Sequence, residues 1–199
     1  MAAEEPQAQT PAREPSRRLF FALWPDEPMR QAMVRATRKA ARSSGGRPVR
    51  ADNLHVTLAF LGSVRQEQLA ELAEIARQAA GPRPGSGPAL VLAFDHLEYW
   101  RAAQLLCALP GQAPEAVGAL ARGLQDLLAG RGFAPDLKPF RPHVTVVRKV
   151  SRAGRLARMP QVVWSFTELA LIESRTRPEG ALYSVVESFP LGSGTEKIE

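Results

Sequence analysis

The sequence contains a single cysteine and only three histidines among its 199 residues. One cysteine cannot form an internal disulfide or a cysteine metal cluster. Cys107 lies in the apolar run 105–109, where a small buried strand residue is a better interpretation than a nucleophile. Long apolar runs are missing too, since none approaches the roughly 18 residues of a membrane helix. The composition therefore excludes a disulfide scaffold and a membrane-spanning helix.

The N-terminus also lacks the apolar segment of a secretory signal peptide, so we expect a cytoplasmic protein with no membrane partner. A monomer is the default expectation. Apolar residues make up 45% and charged residues 23% of the chain, which is ordinary for a globular protein. Lysine and arginine outnumber aspartate and glutamate by 26 to 20. This balance favours an anionic partner such as nucleic acid.

Composition divides the chain into a predicted disordered tail at 1–16, one domain at 17–191 and a flexible tail at 192–199. A loop and candidate lobe boundary is expected at 81–88, where proline and glycine are dense. Short strands mixed with three helices favour an α+β fold. The predicted strands cover 17–23, 54–61, 89–94, 103–109, 142–147, 162–172 (one or two strands) and 182–186. The predicted helices begin after Asp26 as N-cap, at Gln66, and at Pro114 as first residue.

Two of the three histidines occupy the same short pattern, His-Val-Thr followed by an aliphatic residue. These are His55 with Thr57, and His143 with Thr145. Strand side chains alternate between faces, so each histidine and its threonine should point the same way. The apolar residues between them should point into a core. Two related lobes that face each other would bring both motifs together across a cleft.

A histidine pair of this kind suits displacement at phosphorus without a metal. One imidazole can deprotonate water while the other protonates a leaving oxygen, and the threonine hydroxyls can bond phosphate oxygens. A lone histidine on an apolar strand is usually a core residue, and His96 is interpreted so because it lacks the threonine. A zinc site is disfavoured because no acidic ligand is near, and a serine hydrolase because no Gly-x-Ser-x-Gly elbow occurs.

Four stretches carry a family resemblance: 17–30 (RRLFFALWPDEPMR), 53–62 (NLHVTLAFLG), 138–150 (KPFRPHVTVVRKV) and 169–191 (LALIESRTRPEGALYSVVESFPL). Together they resemble the 2H phosphoesterase superfamily, and more closely the RNA 2′,3′-cyclic phosphodiesterases, also called 2′-5′ RNA ligases. The resemblance implies a pseudo-twofold fold of two lobes. Each lobe would be an antiparallel sheet with outer helices, and the active-site cleft would lie between them.

The resemblance also implies roles for the motif residues, which the residues alone do not assign. His55 would be the general acid for the departing 3′ oxygen, and His143 the general base for water. Thr57 and Thr145 would hold the phosphate. The substrate would be an RNA end or nucleotide with a 2′,3′-cyclic phosphate, and the product a 2′-phosphate. No cofactor or metal is implied, and reversible 2′-5′ ligation is chemically allowed.

Three more residues are candidates for substrate binding: Arg148, Phe60 and Arg141. Arg148 lies five residues after His143, so strict alternation puts it on the wrong face and the strand must bend for it to reach phosphate. Phe60 lies five after His55 and could stack on a base. The segment 99–101 (Tyr-Trp-Arg) is a predicted loop that could line an RNA groove. The segment 173–175 (Glu-Ser-Arg) fits the family or simple lobe packing.

Two rival hypotheses stay open. One is a related 2H enzyme that acts on small cyclic nucleotides or 2′-5′ oligonucleotides. The other is a non-catalytic module that binds RNA ends, with strong salt dependence and no turnover.

Overall fold

The computed structural model describes residues 16–81, 90–134, 139–152, 158–178 and 180–192. The predicted tails and the 81–88 loop lie outside these ranges except for Ser16, Gly81 and Gly192. Within these ranges the chain forms three α-helices, two 3-10 helices and nine strands. The helices are α1 (Glu27–Ser43), α2 (Leu69–Ala80) and α3 (Glu115–Gly130), with 3-10 turns at Ala51–Asn53 and Gln66–Gln68. The strands are β1 (Ser16–Leu23), β2 (Arg47–Pro48), β3 (Val56–Arg65), β4 (Leu90–Trp100), β5 (Leu105–Pro110), β6 (Val144–Arg148), β7 (Arg158–Phe166), β8 (Glu168–Arg177) and β9 (Gly180–Pro190).

Two antiparallel sheets organise the fold. The first has the order β3-β1-β8-β9 and the second the order β2-β6-β5-β4-β7. Helices α2 and α3 pack on the first sheet, and α1 packs on β6 and β7 of the second. Helix α1 is tied there by Trp164, whose indole N–H donates to the Met29 carbonyl at 3.0 Å. The predicted α+β class with antiparallel sheets and helices outside them is confirmed.

Strand β1 contributes side chains to both faces of the first sheet, one in the main core and the other on the cleft side. Leu19, Phe21 and Leu23 are fully buried and belong to the main hydrophobic core. Phe20 and Ala22 point to the opposite face and form a smaller cluster with residues of β8. Because side chains alternate along a strand, one apolar segment can fill the core and line a cleft at the same time.

Both motif strands carry a bulge directly after the threonine. In β3, Thr57 pairs with Ala22 and Ala59 with Phe21, so Leu58 has no partner on β1. In β6, Thr145 pairs with Cys107 and Val147 with Leu106, so Val146 is skipped in the same way. Such a bulge places two consecutive residues in the core and returns the next one to the cleft face. This is the bend that residues five positions after each histidine need to reach the cleft, Phe60 in β3 and Arg148 in β6.

Several local predictions are confirmed and others corrected. Asp26 caps α1 by accepting a hydrogen bond from the Met29 N–H at 2.9 Å, as predicted. Pro114 is the N-cap of α3 and not its first residue, so the helix begins one residue later than predicted. The predicted loop at 99–101 is wrong for its first two residues. These continue β4 because they pair with Leu106 and Leu105 of β5, and the turn begins only at residue 101.

Candidate active site

The two motifs lie on different sheets and face one cleft of about 540 Å³. His55 directly precedes β3 of the first sheet, and His143 directly precedes β6 of the second. Both histidines and both threonines, Thr57 and Thr145, are half-buried, whereas the apolar residues between them are buried. The structure thus brings all four predicted side chains to one cleft.

Each imidazole is held by the backbone carbonyl two residues earlier. His55 Nδ1 lies 2.7 Å from the Asn53 oxygen, and His143 Nδ1 lies 2.8 Å from the Arg141 oxygen. A carbonyl oxygen only accepts hydrogen bonds, so Nδ1 carries the proton in both rings. The Nε2 atoms are therefore the nitrogens that can take up or give a proton.

The carbonyl that holds His55 is itself fixed by the first sheet. The Asn53 side-chain amide donates to the Ala181 carbonyl of β9 at 2.7 Å. This bond ties the 3-10 turn before β3 to the far edge of the sheet. Asn53 therefore orients His55 through its carbonyl and is itself anchored through its side chain, although nothing in its position along the chain indicated this role.

His55 stands among aromatic rings. The Phe20 ring centroid lies 4.9 Å away, that of Tyr183 lies 5.3 Å away, and Trp24 stacks at 5.5 Å with an interplanar angle of 25°. Its Nε2 is 3.0 Å from Thr57 Oγ1, which can donate to it while the ring is neutral. Burial is the main cause that lowers the pKa of His55 to about 4; the Asn53 bond opposes it, and positive charge on Arg148 and on His143 acts in the same direction as burial.

His143 has a different environment. One ring, that of Trp100, lies 4.3 Å from its centroid. Burial lowers the pKa of His143, and the positive charges of Arg141 and Arg148 act in the same direction. Among the described residues no side-chain partner occupies its Nε2. The lowered pKa values favour the neutral form of both histidines at pH 7 in the free protein.

The remaining predicted residues divide between the cleft and its surroundings. Arg148 and Phe60 line the cleft, and the Arg18 guanidinium lies 4.8 Å from the Phe60 ring centroid. The Arg141 side chain lines an adjoining groove instead, where it is paired with Glu98. Only the backbone carbonyl of Arg141, which accepts a hydrogen bond from His143, takes part in the histidine site. Of the five predicted binding residues, four line the cleft itself.

Seven polar or aromatic residues that line the cleft or lie against the His55 ring were not predicted from the sequence. Ser174 and Thr176 alternate along β8 with Glu173, which is buried between Arg17 and Arg175 and whose pKa these arginines lower to about 2. Alternation from a buried Glu173 could have placed them. Nothing in the sequence shows that β8, and with it β9, lies beside β1. The seven are Arg18, Phe20, Trp24, Asn53, Ser174, Thr176 and Tyr183.

Two other candidates take no part in the cleft. Cys107 is buried in β5, and burial raises the pKa of its thiol to about 12, which leaves it inert. His96 bonds Asp95 at 2.7 Å and does not line the cleft. In the part of the chain that the structure describes, no three His, Cys, Asp or Glu side chains are arranged to hold a metal ion. No described helix is long and apolar enough to cross a membrane.

Comparison with known proteins agrees with this geometry. A protein from Escherichia coli K12 named RNA 2′,3′-cyclic phosphodiesterase is 32% identical over 159 residues, covering 79% of this chain and 86% of that one. A protein of the same name from Thermus thermophilus is 30% identical over 195 residues, covering 87% and 90%. The crystal structure of E. coli LigT complexed with 3′-AMP superposes with a TM-score of 0.79 at 29% identity, over 89% of this chain and 99% of that one.

The profile of the family described as LigT like Phosphoesterase matches residues 23–86 and 108–183. These two segments include both His-x-Thr motifs and the strands β1, β3, β6 and β8 in whole or in part. The chain belongs to the LigT-like phosphoesterase family of 2H enzymes.

Proposed function

We propose that this protein hydrolyses RNA 2′,3′-cyclic phosphate ends to 2′-phosphate ends without a metal ion. One observation carries the proposal. Two imidazoles from two sheets each bind a backbone carbonyl through Nδ1 and present Nε2 to a shared cleft that also holds two threonines and Arg148. The names of the E. coli and Thermus relatives support the same activity.

The chemical step balances with these groups alone. His143 Nε2 takes a proton from water as the water oxygen attacks phosphorus. The bond between phosphorus and the 3′ oxygen breaks, and protonated His55 Nε2 gives its proton to that oxygen. The product has a 2′-phosphate and a 3′-hydroxyl. A 5′-hydroxyl in place of water would give a 2′–5′ linkage by the same displacement.

The acid role requires His55 to be protonated, although its lowered pKa makes it neutral at pH 7 in the free protein. The cyclic phosphate is an anion, and it displaces water from beside the ring. A negative charge in this buried position favours the imidazolium form and raises the pKa of His55. Mutual repulsion of the two rings disfavours double protonation. Substrate binding thus supplies one charged and one neutral histidine.

The threonines and Arg148 hold the charge that develops on phosphorus. Thr57 and Thr145 hydroxyls can donate to the non-bridging oxygens from opposite walls of the cleft. Arg148 lines the same cleft and offers a planar fork of N–H donors to phosphate. Groups already in place cost little rearrangement when the transition state forms.

The test is to incubate the purified protein, in EDTA, with an oligoribonucleotide that ends in a 2′,3′-cyclic phosphate and to identify the product end. We expect a 2′-phosphate, and far slower product formation by His55→Ala and His143→Ala, each of which should still unfold cooperatively on heating. His96→Ala is the matched control, since it removes the third histidine, which does not line the cleft.

The other outcomes separate the alternatives. Native protein that binds the RNA without converting it would favour a binding module. Protein that neither binds nor converts it, but cleaves a 2′-5′ oligonucleotide or a small cyclic nucleotide, would favour the related 2H activity. Activity lost in EDTA and restored by a divalent ion would contradict the metal-independent step.

A further inference from the structure

Two grooves flank the catalytic cleft, and they differ in character. One has a volume of about 470 Å³ and is lined by Phe60, Trp100 and Phe140; it adjoins the cleft at Thr57 and His143. The other has a volume of about 280 Å³ and adjoins the cleft at residues that do not line the first groove. It shares five residues with the cleft, namely Val49, Asn53, Arg148, Ala181 and Tyr183.

The second groove is basic. Its described lining contains Arg47, Arg50, Arg148 and Lys149 and no carboxylate. Arg50 pairs with Asp52 at 3.0 Å. None of the described carboxylates forms an ion pair with the other three cations. The groove therefore places three cations that no described carboxylate pairs with directly beside the catalytic cleft.

The fold holds these charges together against their repulsion. In the register of β2 and β6, Arg47 stands directly opposite Arg148. Like charges in such cross-strand positions destabilise a sheet. The two backbones approach closely at this point, since a Cβ on Gly46 would lie only 2.7 Å from the Arg148 oxygen. An anion between the two guanidinium groups would relieve the repulsion.

Lys149 adds a further constraint. Its φ of 54° lies in the left-handed region, which residues other than glycine seldom adopt and which costs conformational energy. The following residue is fixed by the bond from the Val150 N–H to the Gln104 carbonyl at 3.0 Å. This backbone turn directly follows Arg148, and Lys149 lines the groove beside it.

A terminal nucleotide has two substituents that leave its ribose away from the cyclic phosphate: the base and the 5′ chain. With the cyclic phosphate at the dyad, the aromatic groove suits a base, and the basic groove suits a phosphate. We propose that the basic groove binds the phosphate on the 5′ side of the terminal nucleotide, and that the enzyme thereby favours polynucleotide ends over nucleoside cyclic phosphates. This inference rests on the proposed function.

The experiment compares three substrates that share one terminal nucleoside. These are adenosine 2′,3′-cyclic phosphate, the same molecule with a 5′-phosphate, and the dinucleotide ApA ending in a 2′,3′-cyclic phosphate. For native protein we expect kcat/KM to be about tenfold higher for the latter two, as one charge-assisted contact allows. The preference should shrink as salt concentration rises.

Variants then locate the contact. In Arg47→Gln and in Lys149→Asn, whose asparagine tolerates the left-handed backbone, the ratio of kcat/KM between phosphorylated and unphosphorylated substrates should fall toward one. Arg38→Gln is the matched control. Arg38 is exposed on α1 and lines neither groove nor the cleft, so its loss of one charge should leave the ratio unchanged.

Equal kcat/KM values for all three substrates with native protein would overturn the inference without any variant. So would a preference that survives Arg47→Gln and Lys149→Asn together, or one that Arg38→Gln lowers equally. In each of these cases native turnover of the cyclic phosphate still stands, so the proposed function survives. Failure of the proposed function looks different, because native protein would then leave the cyclic phosphate end of ApA unconverted.

Discussion

The segments 53–60 and 141–148 have the same backbone arrangement around a histidine, but the side chains that surround the two histidines differ. In each, a carbonyl holds Nδ1 of the histidine two residues later, a threonine follows on the same face, and a bulge returns the next cleft residue. The burial pattern along the two strands is the same up to that residue. The backbone alone therefore places two equivalent imidazoles and cannot make one an acid and the other a base.

The difference lies in what surrounds each ring. His55 is enclosed by three aromatic rings, and the residue that its bulge returns to the cleft is Phe60. His143 meets one ring and lies near two arginines, one of them Arg148 at the position equivalent to Phe60. Environment sets the protonation behaviour of a titratable group, so the surroundings of a shared scaffold can divide acid from base.

Replacing either histidine should give the largest effect, and the leaving group should separate the two roles. We expect His55→Ala and His143→Ala each to lower kcat/KM by about 10³-fold, within the range for general acid–base catalysis. A substrate with sulfur in place of the 3′ bridging oxygen has a thiolate leaving group, which departs without needing a proton from a general acid. It should restore much of the activity of His55→Ala and little of that of His143→Ala, measured as single-turnover rates.

The opposite pattern of rescue would exchange the two roles while keeping the mechanism. Equal rescue of both variants would contradict any division of labour between the motifs. His96→Ala, assayed with both substrates, controls for effects of removing an imidazole elsewhere.

The two residues that the bulges return to the cleft should differ in what they contribute. Arg148→Gln should lower kcat by about 10²-fold, because it removes a charged donor from the developing phosphate charge. The kcat of Arg148→Lys should lie between those of native protein and Arg148→Gln, since lysine keeps the charge and loses the planar fork. Phe60→Leu should act mainly on KM, by about tenfold, if the ring stacks on a base. Steady-state kinetics separates the two effects, and a Phe60→Leu loss confined to kcat would contradict the stacking role.

The pH dependence tests the difference in environment directly. In the free protein, NMR titration should find the His55 imidazole near pH 4 and that of His143 below its ordinary 6.5, because burial disfavours both charged forms. Both limbs of the kcat/KM profile should therefore lie below pH 7. Bound 2′-AMP should raise the pKa of His55, since its phosphate favours the imidazolium. A rate that still climbs above pH 9 would contradict a histidine acid.

The sequence was sufficient where the information is local. Alternation within each motif predicted that Thr57 and Thr145 share a face with their histidines, and the Asp26 cap follows from residue type alone. Strict alternation misplaced Arg148, and the need for a bend was the most that the sequence could indicate. The bulge depends on which residues of β5 the strand pairs with, and that register is a property of the folded sheet.

Residues contributed by distant strands were out of reach. Tyr183 stands beside His55 because β9 pairs with β8, which in turn pairs with β1. The basic groove depends on β2, whose two residues carry no strand pattern. The lowered pKa of His55 has the same origin, because burial comes from all the elements that enclose the ring. The sequence therefore identified the residues able to carry the chemistry, but it could not predict how their surroundings shift their pKa values.

The smallest effect should appear in stability, where His55→Gln should make unfolding less sensitive to pH. Unfolded His55 binds a proton near pH 6.5 and folded His55 only near 4, so the unfolded state holds more protons in between. The stability that depends on neutral His55 is therefore fully present above pH 6.5 and is lost as pH falls toward 4. At pH 5 this one group should account for at most about 2 kcal/mol.

The measurement is chemical denaturation of native protein and His55→Gln at pH 7 and pH 5 in phosphate-free buffer. Stopping at pH 5 keeps the Glu173 carboxylate ionised, since Arg17 and Arg175 hold its pKa near 2 and its stabilising contribution fails only at lower pH. We expect native protein to lose more stability between the two pH values than His55→Gln does. Equal losses would mean that His55 titrates alike in folded and unfolded chains, and the aromatic surroundings would then no longer explain how the two motifs differ.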